Sequence, residues 1–224
     1  VQFNNLVFAV QGNANPQVFN LASSSSFTDA VGSPPQAAYA SVVGRFIVLS
    51  GLTGAPTRIQ WSGLNDVNGP DSWTPGINSS DFQDLPDGGI VRGVAGGEFG
   101  TIFQDQAIRR MVYLPGSPLV FQIERVTQDQ GLYAPYSIVR AGDTIFFRSA
   151  KGFYRIDPGS LPTQIGQERV DRTFFKDLDK NNLQLFIGAS DPRSTRVFWA
   201  YKSVNGNDNQ YDSILGYDKT LDRF

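Results

Sequence analysis

The chain has 224 residues, of which 40% are hydrophobic and 18% are charged, and its formal net charge is −2. This composition is too apolar for a disordered polypeptide, and it lacks the basic excess of strong nucleic-acid binders. The sequence contains neither cysteine nor histidine. Disulfides and thiolate metal sites are therefore excluded, as are the commonest general base and the commonest metal ligand.

Turn residues followed by an apolar run recur along the chain at intervals of roughly 40 to 55 residues, which is the spacing of β-propeller blades. The apolar runs lie at 6–10, 45–49, 101–103, 144–147 and 195–199. Aromatic residues make up 12% of the chain and are interrupted by 23 Gly and 13 Pro, which favours strands over helices. We predict an all-β fold, a β-propeller-like array of four-stranded antiparallel blades.

Five blade units are predicted within one propeller domain, 1–224, at about 4–31, 38–75, 90–126, 136–166 and 185–224. In the first unit, a turn at 12–16 separates strands at 6–10 and 17–21. The third unit is the clearest, with strands at 90–94, 101–104, 107–113 and 119–125. The segment 77–89 is polar and is predicted to cross between blades without a strand. A β-sandwich is the alternative, but four strands in each unit of about 40 residues favour the propeller.

A short helix is predicted at 171–179, where Phe174, Phe175 and Leu178 fall at helical spacing. Alternation along strands places one of Phe198 and Trp199 on each face of its sheet, so this pair is expected between two packed blades. The aromatic residues expected in the core are Phe46, Phe103, Phe146, Phe153, Phe198 and Trp199. Because the sequence starts at Val1 and stops where another strand is expected, we expect it to be a segment of a longer or processed polypeptide.

Several stretches between residues 40 and 224 resemble a group of bacteriophage tail proteins. They include RIQWSGLND at 58–66, FQDQAIRRM at 103–111, FQIER at 121–125, GLYAPYS at 131–137 and FRSAKGFY at 147–154, with shorter matches at 72–73, 84–89, 170–172, 191–193 and 197–201. The resemblance is to the propeller-bearing tail hub, nozzle or packaged-DNA-stabilising proteins of short-tailed phages. It is spread over many short pieces rather than one strong motif.

The resemblance implies a structural virion protein rather than an enzyme. Such proteins form a ring of identical subunits, usually six, below the portal and adaptor, and the ring surrounds the conduit that retains and ejects the genome. The implied partners are other copies, the portal or adaptor and other tail proteins, with non-specific passage of DNA, no membrane and no cofactor. The implied location is the virion tail, assembled in the host cytoplasm. A slightly acidic channel wall suits the passage of DNA, because a strongly basic wall would bind the DNA phosphates and slow it.

Six residues are candidates for interface or channel contacts, and none is predicted to be catalytic or metal-binding: Arg109, Arg110, Asp129, Tyr133, Asn207 and Asp208. Arg109 and Arg110 are adjacent in a predicted strand, so their side chains point to opposite faces. One is expected to line a blade surface and the other to pair with a neighbouring carboxylate; ordinary surface charge is the simpler interpretation. Protein contacts are expected through loops at 78–89, 127–135 and 203–212.

The alternative function is a carbohydrate-binding or sialidase-like glycoside hydrolase propeller. Paired carboxylates are required for that chemistry, and the candidates are Glu98, Asp105, Glu124 and Asp129. Aromatic side chains at loop tips would stack on sugars, and the candidates for this are Trp61, Trp73 and Tyr133. No spacing singles out a catalytic set.

Two further motifs are interpreted as turns. Residues 65–73 resemble the Asp-box of sialidase-type propellers, but Asp66 stands three residues before Gly69 rather than two. Its carboxylate is expected to accept turn N–H groups, and Trp73 is expected to pack between strands. Asp177, Asp179 and Asn181 alternate as calcium ligands do, but no glycine follows at the bend that an EF-hand type loop needs.

Overall fold

The computed structural model describes residues 1–207 and 209–224, and the chain divides into two compact units, Val1–Gly131 and Leu132–Phe224. The first unit consists of strands, turns and loops. Its strands are β1 (Gln2–Phe3), β2 (Leu6–Gln11), β3 (Ala14–Asn20), β4 (Thr28–Asp29), β5 (Ala37–Val43), β6 (Phe46–Leu52), β7 (Arg58–Trp61), β8 (Asp81–Asp84), β9 (Val91–Ala95), β10 (Gly100–Gln104), β11 (Ala107–Tyr113) and β12 (Phe121–Gln128).

The second unit contains seven strands, one α-helix and two single-turn 3₁₀ helices among its described residues. They are a 3₁₀ turn (Pro135–Ser137), β13 (Val139–Ala141), β14 (Thr144–Ser149), β15 (Gly152–Ile156), β16 (Thr163–Gln164), α1 (Asp171–Asp177), a 3₁₀ turn (Leu183–Leu185), β17 (Phe186–Ser190), β18 (Arg196–Tyr201) and β19 (Ser213–Asp218). The seven-residue helix α1 confirms the short helix predicted from Phe174 and Leu178. No helix in the described residues has the length and apolar character needed to cross a bilayer.

Five antiparallel sheets account for all named strands, and each sheet joins strands that are neighbours in sequence. The first unit holds three four-stranded sheets, β1–β4, β5–β8 and β9–β12. The second unit holds the four-stranded sheet β13–β16 and the three-stranded sheet β17–β19. Repeated antiparallel meanders of four strands are the blades of a β-propeller. The predicted all-β propeller class is therefore confirmed, with five blades.

The first unit has two hydrophobic clusters, one on each side of the sheet β5–β8. Phe46 and Val48 of β6 pack with residues of β9–β12, whereas Ile47 and Leu49 pack with Phe8 of β2. These four residues of β6 alternate in direction, so an uninterrupted apolar run supplies both clusters. In the second unit, one cluster joins β13–β16, the helix α1 and the inner face of β17–β19.

The aromatic core prediction is confirmed for five of its six residues, because Phe46, Phe103, Phe146, Phe153 and Trp199 are at most 1% exposed. Phe198 is the exception. It is only half-buried, because it lies on the face of β17–β19 opposite Trp199, and that face is largely open. The expectation that the pair lies between two packed blades is therefore wrong on the Phe198 side.

Three local predictions are corrected. The segment 77–89 is not strandless, since β8 lies within it and pairs with β7 through four residues from Arg58 to Trp61. The turn at 12–16 is shorter than predicted, because β3 begins at Ala14 and includes Pro16. The fourth unit, predicted at 136–166, begins with a 3₁₀ turn, and its first strand, β13, starts only at Val139. The short strands β1 and β4 were missed because two residues carry no periodicity.

Candidate interaction sites

A buried polar network lies where the loop 85–89 meets the hairpin between β10 and β11. Gln104 is fully buried, and its amide nitrogen donates to the carbonyl oxygens of Leu85 and Gly89, both at 2.8 Å. Its side-chain oxygen accepts from Arg109 Nε at 2.7 Å. Gly88 has a φ of +112° and a Cβ there would lie 2.7 Å from that of Ala107, so glycine is required at this turn. The network fixes the loop against the blade.

Arg109 extends this network to the surface. It is 7% exposed, and its Nη2 donates to the carbonyl oxygen of Asp87 at 2.8 Å and contacts Asp87 Oδ1 at 2.7 Å. Arg125 pairs with the other oxygen of the same carboxylate. Burial lowers the pKa of Arg109 from its usual value. Arg110 lies over the ring of Phe99 at 5.8 Å on the other face. The opposite orientations and the pairing of one arginine with a carboxylate are confirmed; contact with a partner stays a prediction.

The candidate carboxylates of a glycosidase serve other purposes or stand exposed. Asp105 accepts from the backbone N–H of Ile90 at 3.0 Å and pairs with Arg92 at 2.6 Å, so it closes a turn. Glu98, Glu124 and Asp129 are exposed, and Asp129 has a φ of +63°. Among the described residues, no three acidic side chains converge as a metal-binding group.

The loop at 65–73 is a structural turn, as predicted. Asp66 Oδ1 accepts the backbone N–H groups of Asn68 at 3.3 Å and Gly69 at 2.9 Å. Trp73 is 2% exposed, and its indole N–H donates to the carbonyl oxygen of Val67 at 3.1 Å. The ring of Trp73 packs on Phe8 with centroids 5.7 Å apart. The loop thereby joins the first two blades.

The aromatic residues suggested for sugar stacking are not loop-tip platforms. Trp61 is 1% exposed and donates its indole N–H to the carbonyl oxygen of Ser79 at 2.8 Å, and Trp73 is equally buried. Tyr133 is half-buried, and the Arg148 guanidinium lies 4.2 Å from the centre of its ring. The stacking hypothesis for these three residues has no support in their placement.

Arg148 is a buried cation that the sequence analysis missed. It is 2% exposed, its guanidinium lies 4.2 Å from the centre of the Tyr133 ring and 5.1 Å from that of Phe175, and its Nε and Nη1 have no hydrogen-bond partner among the described residues. Burial lowers its pKa to about 10. Asp171 nearby accepts from the backbone N–H of Phe153 at 3.2 Å and from Gln164 Nε2 at 3.0 Å. Cation–π contact with these aromatic rings therefore helps to stabilise the buried guanidinium.

The residues considered for calcium are held by protein donors. Asp179 accepts Lys202 Nζ at 2.9 Å and the backbone N–H of Asn181 at 3.0 Å. These donors, led by Lys202, lower the pKa of Asp179 to about 2. Asp177 Oδ2 accepts the hydroxyl of Tyr201 at 2.7 Å. Both carboxylates thus anchor the segment after α1 to the end of β18.

The loop 203–212 is held at its base. Asp212 Oδ1 accepts the backbone N–H of Ser203 at 2.9 Å, and its Oδ2 accepts the Ser203 hydroxyl at 3.1 Å. Asn207 is exposed at the loop tip. Asp208, the last of the six predicted contact residues, lies outside the described residues. Of the five candidates that the structure describes, Arg109 and Arg110 lie on opposite faces of β11, Asp129 and Tyr133 lie in the segment after β12, and Asn207 lies between β18 and β19.

The comparisons with known proteins support the fold and no particular activity. No known family and no curated protein matches the sequence. Among solved structures, the β-propeller domain of Cps50 (Swd1) from Myceliophteria thermophila is similar with a TM-score of 0.54 at 8% identity, covering 88% of this chain and 63% of that one. PorZ, a surface component of the type-IX secretion system of Porphyromonas gingivalis, gives 0.54 at 13% identity, covering 92% and 23%.

A third similar structure is lignostilbene dioxygenase of Pseudomonas brassicacearum, with a TM-score of 0.50 at 9% identity, covering 99% of this chain and 58% of that one. The chain therefore spans less than two thirds of each of these proteins. The three have unrelated roles, so the likeness shows a propeller fold alone.

Proposed function

We propose that the chain is a structural component of a bacteriophage tail, a hub or nozzle that assembles as a ring of copies below the portal and adaptor. The observation that supports the proposal is that charged side chains hold turns and strands of the chain itself. Asp66, Asp105 and Asp179 close turns and hold strands instead of converging around a cleft. A scaffold whose charges fix loops is suited to assembly, and some of the sequence stretches that resemble tail proteins, such as those at 121–125 and 197–201, lie in its strands.

The same proposal assigns the chain to a virion, with passage of genomic DNA that is independent of base sequence. A formal net charge of −2 supports this role, because duplex DNA binds strongly only where many cations neutralise phosphates. Two arginines at the surface are also paired within the chain, Arg58 with Asp84 at 2.8 Å and Arg169 with Asp222 at 2.9 Å. The proposal also holds that these blades are one part of a longer polypeptide.

The experiment that tests this proposal is native mass spectrometry of the purified protein together with an image of particles made with and without it. We expect the purified protein to form a closed ring of several copies. Phage particles made without the protein should package DNA but leak it, or fail to mount a tail. A monomeric protein whose absence leaves particles intact would overturn the proposal.

An activity assay separates the alternative function. Turnover of sialosides or other glycosides that disappears in Glu98→Gln, Asp105→Asn or Glu124→Gln would favour the hydrolase hypothesis. Arg110→Gln is the matched control, since it alters a charge of the same blade without touching a carboxylate. We expect no turnover, because Glu98 and Asp105 lie at opposite ends of β10 and Trp61 and Trp73 are buried.

A further inference from the structure

Two asparagines of the chain are followed directly by glycine, Asn68–Gly69 and Asn205–Gly206. At such a pair the backbone nitrogen of the glycine can attack the side-chain amide of the asparagine. Glycine permits this because it has no Cβ to hinder the approach and its backbone rotates freely. The sequence signal is the same at both pairs, but the structure gives them different surroundings.

The pair Asn68–Gly69 is held on both sides of the bond that would have to form. The backbone N–H of Gly69 donates to Asp66 Oδ1 at 2.9 Å and also contacts the hydroxyl oxygen of Ser72. The side-chain oxygen of Asn68 accepts the backbone N–H of Val31 at 2.8 Å. A donated N–H is harder to deprotonate, and a bound side chain cannot turn toward the nitrogen. The turn therefore protects Asn68.

The pair Asn205–Gly206 lies in the loop 203–212 between β18 and β19 and lacks these restraints. Asn205 is exposed, and its side chain forms no hydrogen bond with any residue that the structure describes. The backbone N–H of Gly206 makes one longer bond, to the carbonyl oxygen of Ser203 at 3.2 Å. The preceding residue, Val204, is 55% exposed. Loops of this kind open locally at low cost in free energy.

We propose that Asn205 is a site of spontaneous deamidation, with water as the co-reactant. The Gly206 nitrogen loses its proton and bonds to Asn205 Cγ, the Cγ–Nδ2 bond breaks, and ammonia leaves with that proton. Water then opens the resulting succinimide ring at one of its two carbonyl carbons. Opening at Cγ gives aspartate, and opening at the backbone carbonyl carbon gives isoaspartate. This inference is independent of the proposed tail function.

The product changes both the charge and the backbone of the loop. Residues 203–212 contain two acidic residues, Asp208 and Asp212, and no basic one, so a carboxylate at position 205 raises the acidic count to three. An isoaspartate also lengthens the chain just before Gly206, where the Asp212 carboxylate leaves no room for a Cβ. Because Asp212 accepts the backbone N–H of Ser203 at 2.9 Å, we expect the reaction to loosen the base of the loop.

The test follows deamidation of the purified protein at mildly alkaline pH, both folded and in guanidinium chloride, by mass spectrometry of its tryptic peptides. Replacing the amide –NH₂ by –OH adds about 1 Da, and fragmentation locates the change. Each asparagine is compared with its own rate in denaturant. In the folded protein, Asn205 should stay within about threefold of that rate, whereas Asn68 should react at least about tenfold more slowly than in denaturant.

Three controls separate the causes. Asn205→Gln should remove the fast reaction, and Asn207, which is exposed in the same loop but precedes Asp208, should react at least about tenfold more slowly than Asn205. Asp66→Ala frees the N–H of Gly69 and should speed the loss at Asn68 while leaving the rate at Asn205 unchanged. No change at Asn68 in that variant would contradict the cause given for its protection. Protection of Asn205 in the folded protein as strong as that of Asn68 would overturn the proposal.

Discussion

The sheets β5–β8 and β17–β19 have strands of the same pattern in different surroundings. In β6, Phe46 and Val48 contact one cluster and Ile47 and Leu49 contact another, and all four are fully buried. In β18, Val197 and Trp199 are buried, while the alternate residues Phe198 and Ala200 are half-exposed. The first sheet is covered on both faces and the second on one.

The difference shows that an apolar run indicates a strand suited to burial on both faces, even where the described chain covers only one of them. Continuous apolar runs are typical of strands that are buried on both faces. β18 carries such a run from Val197 to Ala200, so its pattern is that of β6. The open face of β17–β19 is therefore the place where the sequence pattern and the burial of the described residues disagree most.

The largest expected loss of stability comes from a substitution in the covered sheet β5–β8. Phe46→Ala should lower the free energy of unfolding by about 3–5 kcal/mol, because it removes a fully buried ring and leaves a cavity. Phe198→Ala should cost only about 1 kcal/mol, because the open face already exposes that ring to water. Urea denaturation followed by circular dichroism measures both. Equal losses would show that the two sheets are equally well covered.

The second prediction concerns the buried arginine of the first unit. Arg109→Met keeps an apolar stem but removes the donors to Gln104 and to the carbonyl oxygen of Asp87, and it should cost about 1–3 kcal/mol. The matched control is Arg110→Met on the other face of the same strand, which should change stability by no more than about 0.5 kcal/mol. Similar losses for the two variants, in the same denaturation assay, would contradict the role given to the Gln104 network.

Much of the fold was predictable because the hairpins carry strong local signals. The strand at 107–113 was predicted with its observed bounds, and the helix at 171–177 followed from Phe174 and Leu178. β8 was missed because its sequence DFQD is mostly polar: it pairs at the edge of a sheet, where Gln83 and Asp84 are exposed to water. This strand forms because its backbone pairs with β7. Backbone pairing of this kind leaves no periodic pattern in the sequence.

The candidate site was less predictable, because its polar contacts join distant segments. The sequence places Arg109 in a strand, but it does not indicate that Gln104 is buried beside it or that Asp87 lies within reach. Arg148 likewise lies in an ordinary hairpin sequence, and only the fold brings the rings of Tyr133 and Phe175 close to it. Side-chain pairing of this kind depends on tertiary structure, whereas the Asp66 turn is local and was predicted.

The third prediction sharpens the role of that turn in covering the first unit. Asp66→Ala removes the acceptor of two backbone N–H groups in the loop that positions Trp73, and it should cost about 1 kcal/mol. Asp71→Ala changes an exposed carboxylate of the same loop and should have no measurable effect. Thermal unfolding of the two variants under the same conditions distinguishes them. A larger loss of stability in Asp71→Ala would contradict the role given to the Asp66 carboxylate.

The smallest expected effect is a pH dependence in the second unit. The pKa of Asp179 is lowered to about 2 in the folded chain, chiefly by the hydrogen bond from Lys202. Because the unfolded chain binds the proton first, the resulting stability is complete above about pH 5 and is lost as the pH falls toward 2. Asp179→Asn should therefore lose less stability than the wild type between pH 4 and 2, as measured by urea unfolding at several pH values. Asp71→Asn should follow the wild type, and parallel curves for all three proteins would show that the Asp179–Lys202 pair does not stabilise the segment after α1.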